Sequence, residues 1–370
     1  MTQPASKTLS TFVCALLLSA RAALAQSETV DTIRADSQPK TASSSIRVLP
    51  VVGSAPETGF LGGATALRVS SAATDTRPST DQLYAAYTAK HQFRAFASTD
   101  RWSSGNRWGV NAQLEYQRFP QPFFGIGIDA PESAEEWYEA RTVLVTTTVR
   151  RRIARAVFGQ LGLRYSDTKI RDADEGGVID SGAILGAEGG VVSQMTGGGA
   201  WDSRDNVFAP ASGTLLQATV GYSAPALGAD YEFTRYVADA RQYLRLGRGV
   251  LAGQAYVEAT SGDAPFDQLS LLGSGTVMRG YVRGRYRDRH LVAAQLEYRL
   301  PVAARFGVAA FAGAGTVSPT FSALGSSTWL PTLGGGARYV LLPRQRTTVR
   351  VDYGVGKGSS GLYITFNEAF

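Results

Sequence analysis

The sequence predicts an all-β protein, a transmembrane antiparallel β-barrel of about sixteen strands, and three observations predict it. Segments of about ten residues alternate apolar and polar side chains along most of the chain. The first residues have the layout of a cleavable export signal. The composition, with 41 glycines, 16 tyrosines and 16 phenylalanines against two histidines, suits short strands and turns better than helices.

The leader comes first in the chain. Lys7 supplies a charged start, Thr11 to Leu18 an apolar run too short to span a bilayer as a helix, and Ala23-Leu24-Ala25 a cleavage site before Gln26. Residues 1–25 therefore read as a removed signal peptide, 26–45 as a polar periplasmic linker, and 46–370 as the barrel. Cys14, the one cysteine, falls in the leader, so the exported chain is expected to hold no thiol or disulfide. Phe12-Val13 before Cys14 speak against a lipoprotein signal. The linker is polar and too short to bury a core.

Beyond it the alternation sets in. Val110, Ala112, Leu114 and Tyr116 share one face, and Asn111, Gln113, Glu115 and Gln117 the other. Val292, Ala294, Leu296 and Tyr298 oppose Ala293, Gln295, Glu297 and Arg299 in the same way, and Val349, Val351 and Tyr353 oppose Thr348, Arg350 and Asp352. A soluble sandwich shares this period. The export signal, the repetition along the chain and the tyrosines near segment ends, as in an interfacial girdle, favour the membrane barrel. The predicted strands are 46–53, 59–70, 82–90, 92–101, 106–118, 137–150, 154–167 and 190–202, then 212–223, 229–246, 249–260, 289–300, 305–317, 331–342, 345–355 and 360–369. With a periplasmic N-terminus, the long connections 119–136, 168–189, 261–288 and 318–330 face outward and the tight ones at 246–248, 301–303 and 343–344 face inward. Connections 71–81 and 203–211 are longer than that asymmetry expects. In the last segment, GLYITFNEAF, Leu362, Ile364, Phe366 and Phe370 share a face that Glu368 interrupts, and the aromatic ending, Phe366 with Phe370, resembles the C-terminal sorting signal of bacterial outer-membrane barrels.

The longest outer connection, the sixth, carries GSGTVMRGYVRGRYRDRH, residues 273–290. Such a basic block usually marks a polyanion site, but in an exported barrel a nucleic-acid partner is not expected. Its MRGY, Met278-Arg279-Gly280-Tyr281, resembles the V-R-G-F/Y motif in the sixth external loop of the bacterial surface antigen family. That superfamily holds the BamA/TamA-type outer-membrane assembly proteins and the two-partner-secretion transporters. LPVVGSAPETGFLGGA resembles the family's first hairpin, WDSRDNVFAPASG one of its turns, AQLEYRLP the strand after the loop, and VRVDYG with YITFNEAF its last two strands. The resemblance implies a long external loop folded back into the lumen, with Arg279 meeting a strand glutamate, Glu297, and a strand aspartate. The aspartate of the family's F-x-D-x-G pattern is absent, since FAGAG puts Gly313 there; Asp352, also lumen-facing, is a second charge that could compensate. Arg283, Arg285, Arg287 and Arg289 read as surface residues meeting lipopolysaccharide phosphates or water.

Catalysis is not expected. His91 lies at a hairpin tip and His290 at the mouth of the arginine loop near Asp288, with no nucleophile identifiable beside either. No metal or cofactor is expected from two histidines so far apart, and the glycine runs at 189–190, 197–199 and 334–336 open no helix that could cradle a phosphate. Glycine in a barrel strand more often admits a bend or an inward-packed loop. The resemblance implies a barrel that assists insertion or translocation of proteins. It also implies membrane lipid, unfolded or secreted clients and a periplasmic partner as its contacts. Relatives carry periplasmic transport-associated repeats ahead of the barrel, and the short stretch before residue 46 is expected to lack them. The alternative is a passive pore or structural barrel with no protein client. Pro50 and Pro56 are expected to weaken the first strand where it meets the last.

Overall fold

A computed structural model describes residues 45–70, 79–342 and 346–370; the residues read as a leader, nearly all of those read as a linker, most of the connection at 71–81 and the connection at 343–344 lie outside them. Sixteen antiparallel strands close into a barrel. Its first half comprises β1 (Ser45–Ala55), β2 (Gly59–Ser70), β3 (Ser79–Thr88), β4 (Phe93–Trp102), β5 (Trp108–Phe123), β6 (Glu136–Arg152), β7 (Val157–Arg171) and β8 (Gly189–Asp202). The second half comprises β9 (Gly213–Ser223), β10 (Phe233–Leu246), β11 (Gly249–Gly262), β14 (His290–Pro301), β15 (Phe306–Ser318), β16 (Leu330–Leu342), β17 (Thr347–Gly356) and β18 (Ser359–Phe366). Between β11 and β14, β12 (Ser270–Leu272) and β13 (Tyr286–Asp288) pair with each other outside the wall. The alternation does not announce them, because strands of three residues are too short to carry a period.

The two faces follow the sequence pattern. On β14, Ala293, Gln295, Glu297 and Arg299 are buried toward the lumen, while Leu296 on the other face is 57% exposed. Leu83, Leu114, Leu161, Leu163, Leu216 and Leu333 likewise stand on the outside, the apolar belt that lipid requires.

Two departures have local causes. Strand β5 runs on past Pro120 and Pro122, pairing Pro120 with Glu139 and Pro122 with Trp137 of β6. Its ladder to β4 stops at Arg118, so beyond that point it is an edge, where a proline leaves no missing donor. The last strand ends at Phe366, three residues short of the expected 369. Asn367 takes a left-handed φ of 61°, and the chain turns inward. Phe366 stays 41% exposed on the outer face, but Phe370 is buried with Tyr243 and Ala252, so the two do not share a face. Nor does Glu368 interrupt the lipid face: it meets Arg338 at 2.9 Å and Arg299 at 3.5 Å inside the barrel.

The closing seam is thin. Among the described residues β1 pairs with β18 at one position, Ser54 opposite Ile364, whereas β17 and β18 pair from Val349–Phe366 to Gly356–Ser359. Near that position Gly361 of β18 lies under the Pro56 ring, where any Cβ would overlap it.

Candidate functional site: the loop seated in the lumen

The segment between β12 and β13 turns down into the barrel through Gly273, Met278, Gly280 and Gly284, all at positive φ. Its tip seats on glycines. A Cβ on Gly354 would lie 2.9 Å from the Arg279 carbonyl, one on Gly315 3.1 Å from Met278, and one on Gly356 inside the Tyr281 ring. Backbone bonds then fix its height: Met278 N donates to Gln295 Oε1 at 3.2 Å, and Gly280 N to the Tyr363 hydroxyl at 2.8 Å. The Tyr281 hydroxyl donates to the Pro331 carbonyl at 2.6 Å and accepts from Lys357 N at 2.8 Å. The Thr332 hydroxyl donates to the Arg279 carbonyl. The tip is thereby tied to β14, β16, β17 and β18.

Arg279 is fully buried. Its Nη2 meets Glu297 at 2.5 Å, its Nη1 meets Asp352, and its guanidinium lies 3.6 Å from the centre of the Phe311 ring. Gly334 makes room for that ring, because a Cβ there would overlap it. Three further arginines complete the charge cluster. Arg299 bonds Glu297 at 2.6 Å, Arg350 bonds Asp352 at 2.6 Å, and Arg338 bonds Asp352 and Glu368. Burial of this kind is tolerable only when each ion finds opposite charge and hydrogen bonds nearby.

The second carboxylate that meets Arg279 is thus Asp352 of β17. Gly313 leaves space that Gln295 occupies, since a Cβ on Gly313 would sit 2.8 Å from that of Gln295, and Gln295 itself reaches the loop backbone. Of the residues singled out in the sequence, the structure brings Met278, Arg279, Gly280, Tyr281, Glu297 and Asp352 together. Sequence reasoning missed Arg338, Phe311, Gln295 and Tyr363. The shared lumen parity of Glu297 with Arg299, and of Arg350 with Asp352, was a readable signal; the register that places Arg338 between them was not.

The other loop arginines need correction. Arg287 is 2% exposed, packed on the Phe123 and Phe266 rings and bonded to the Gly284 carbonyl. Arg285 lies 4.8 Å from the Phe124 ring and donates to the Ala130 carbonyl at 2.9 Å, and Arg289 donates to the Gly262 carbonyl at 2.6 Å. Arg287 is therefore a buried structural tie and not a surface residue, and Arg285 stacks as well, because planar guanidinium groups pack on the aromatics brought together here. Arg289 stays partly exposed, and Arg283 is exposed. Phe266, between Phe123 and Tyr138, and the Gly127 N to Arg287 carbonyl bond clasp the external loops over the mouth. There burial pushes the Asp288 carboxyl above its usual range.

A closed sixteen-strand barrel with an apolar outer belt and an arginine loop clamped in its lumen defines an outer-membrane β-barrel protein. The chain belongs to the Omp85 superfamily, whose domain model matches residues 60–356. No curated protein matches it by sequence. Among solved structures it is similar to BamA from Haemophilus ducreyi lacking POTRA domains 1-3, at 14% identity and a TM-score of 0.61 over 89% of this chain and 70% of that one. It is also similar to CdiB from Acinetobacter baumannii (12% identity, TM-score 0.53, 88% of this chain and 65% of that one). CdiB from Escherichia coli is comparable (10% identity, TM-score 0.57, 88% and 67%). The chain spans about two thirds of the length of these neighbours, and at such identities the likeness is one of fold.

Proposed function

We propose that this barrel assists the insertion or translocation of proteins at the outer membrane, with the seam between β1 and β18 as the edge that receives a client strand. The observation that carries this reading is the single pairing of Ser54 with Ile364. Below it the β1 edge offers ladder groups that an extended chain can take up. Superfamily membership supports the same reading. The seated loop makes the seam one-sided: it braces β14, β16, β17 and β18, while β1 is held mainly by β2. In this reading Arg279, Glu297 and Asp352 are the latch. Phe366 and Phe370 act as the sorting signal on the unfolded chain, before Phe370 is enclosed. A periplasmic partner presents the client.

A disulfide between Ser54→Cys and Ile364→Cys tests it, since directly opposed residues in an antiparallel pair stand about 4.5–5.5 Å apart. The oxidised double variant is expected to stay folded yet lose insertion of a barrel client into proteoliposomes, and to regain it on reduction. Full activity while oxidised would instead favour a passive barrel.

A further inference from the structure

Between the loop and the barrel wall lies a polar cavity of about 660 Å³. Within it Arg164 of β7 stands opposite Gln194 of β8, and Arg235 of β10 lines the same space. Gln194 is 3% exposed and its Nε2 has no acceptor among the described residues. Arg235 spends its terminal nitrogens on Glu258, at 2.8 Å, and on the Gln268 carbonyl, but its Nε is buried without an acceptor. Arg164 has Asp267, Glu115 and Glu258 as its acidic electrostatic neighbours, and none makes an ion pair with it.

Each of those carboxylates has other donors, and Glu258 is taken by Arg235 itself. Glu115 is held by Arg94 at 2.7 Å and Gln113 at 2.6 Å, Glu258 by Arg235 and Tyr256, and Asp267 by Gln268 at 3.0 Å. Two donors here, Gln194 Nε2 and Arg235 Nε, thus lack an acceptor among the described residues, and Glu57 Oε2, which lines the same cavity, lacks a donor. A buried donor without an acceptor is a standing cost, and neighbouring guanidiniums repel each other. An oxyanion relieves both, because a guanidinium offers paired N–H groups that match a carboxylate or phosphate edge.

We propose that Arg164, Gln194 and Arg235 form an oxyanion-binding site in the lumen, taking a carboxylate or a phosphate. The inference does not depend on the seam. Two sources share the chemistry, a free phosphate and the acidic side chain of an extended peptide. Asp267 is the built-in opponent: it faces Arg164, Arg235 and Arg287 from the loop, so it disfavours a second negative charge.

Calorimetric titration of the folded full chain in detergent, with inorganic phosphate and separately with a short oligoglutamate peptide, tests the site. At least one probe is expected to bind, and Arg164→Gln to weaken it about tenfold or more. Arg164→Lys is expected to retain part of the affinity, and Asp267→Asn, a loop change outside the wall, to tighten binding about threefold. Arg101→Gln, whose partner Asp81 is outside this cavity, serves as the unchanged control. Phosphate alone binding assigns a free oxyanion, and peptide alone a client side chain. Binding of neither probe, or equal binding by wild type and Arg164→Gln with no gain in Asp267→Asn, overturns the proposal.

Discussion

Asp352→Asn is expected to unseat the inward loop more completely than Arg279→Ala. The order follows from which charges each change strands. Without Asp352, Arg350 keeps no carboxylate, only the Gly275 carbonyl, and Arg279 keeps Glu297 alone. Both arginines are almost fully buried. Breaking one side of a buried pair costs about 3–5 kcal/mol in such settings. Without Arg279, by contrast, Glu297 still has Arg299 and Arg338, and Asp352 still has Arg338 and Arg350. Arg279→Ala is therefore expected to cost about 1–2 kcal/mol less than Asp352→Asn, and the double variant to fall well short of the sum. Tryptic cleavage at the loop arginines and the denaturant midpoint of the barrel measure both. Equal losses from the two single changes, or strict additivity in the double, would mean that the cluster does not act as one unit.

Gly354→Ala should release the same loop with no charge altered. The added Cβ would meet the Arg279 carbonyl and the Gly280 nitrogen at 2.9 Å, and these are backbone atoms that cannot rotate aside. Overpacking of this kind costs about 1–3 kcal/mol when neighbours can shift. Here the loop is the part free to move, so its exit is the expected relief. Gly62→Ala on β2, where nothing lies within 4 Å of the new Cβ, should change neither loop cleavage nor stability. If Gly354→Ala left the loop as protected as in the wild type, the tip would not be seated on β17 as described.

The candidate site was legible in part because its chemistry lies in short motifs. MRGY and AQLEYRLP, through resemblance, marked Arg279 and Glu297 as partners. Lumen parity marked Asp352 as available, but could not say that it lay within reach of Arg279, 73 positions earlier in the chain. The glycines on which the loop rests looked like ordinary strand glycines. Their meaning appears only when Arg279, Gly280 and Tyr281 pack against Gly354 and Gly356.

The sequence by itself determined the number of strands in the wall and their lipid and lumen faces, because alternation acts between near neighbours. Only the tertiary structure decided that Asp352 is the second carboxylate to meet Arg279, that Arg287 is buried among aromatic rings, that Phe370 turns inward, and that β1 and β18 meet at one pair. Each of these depends on register between strands and on where a long loop comes to rest. A period of two states which face a side chain takes and carries no information about which distant residue stands across from it.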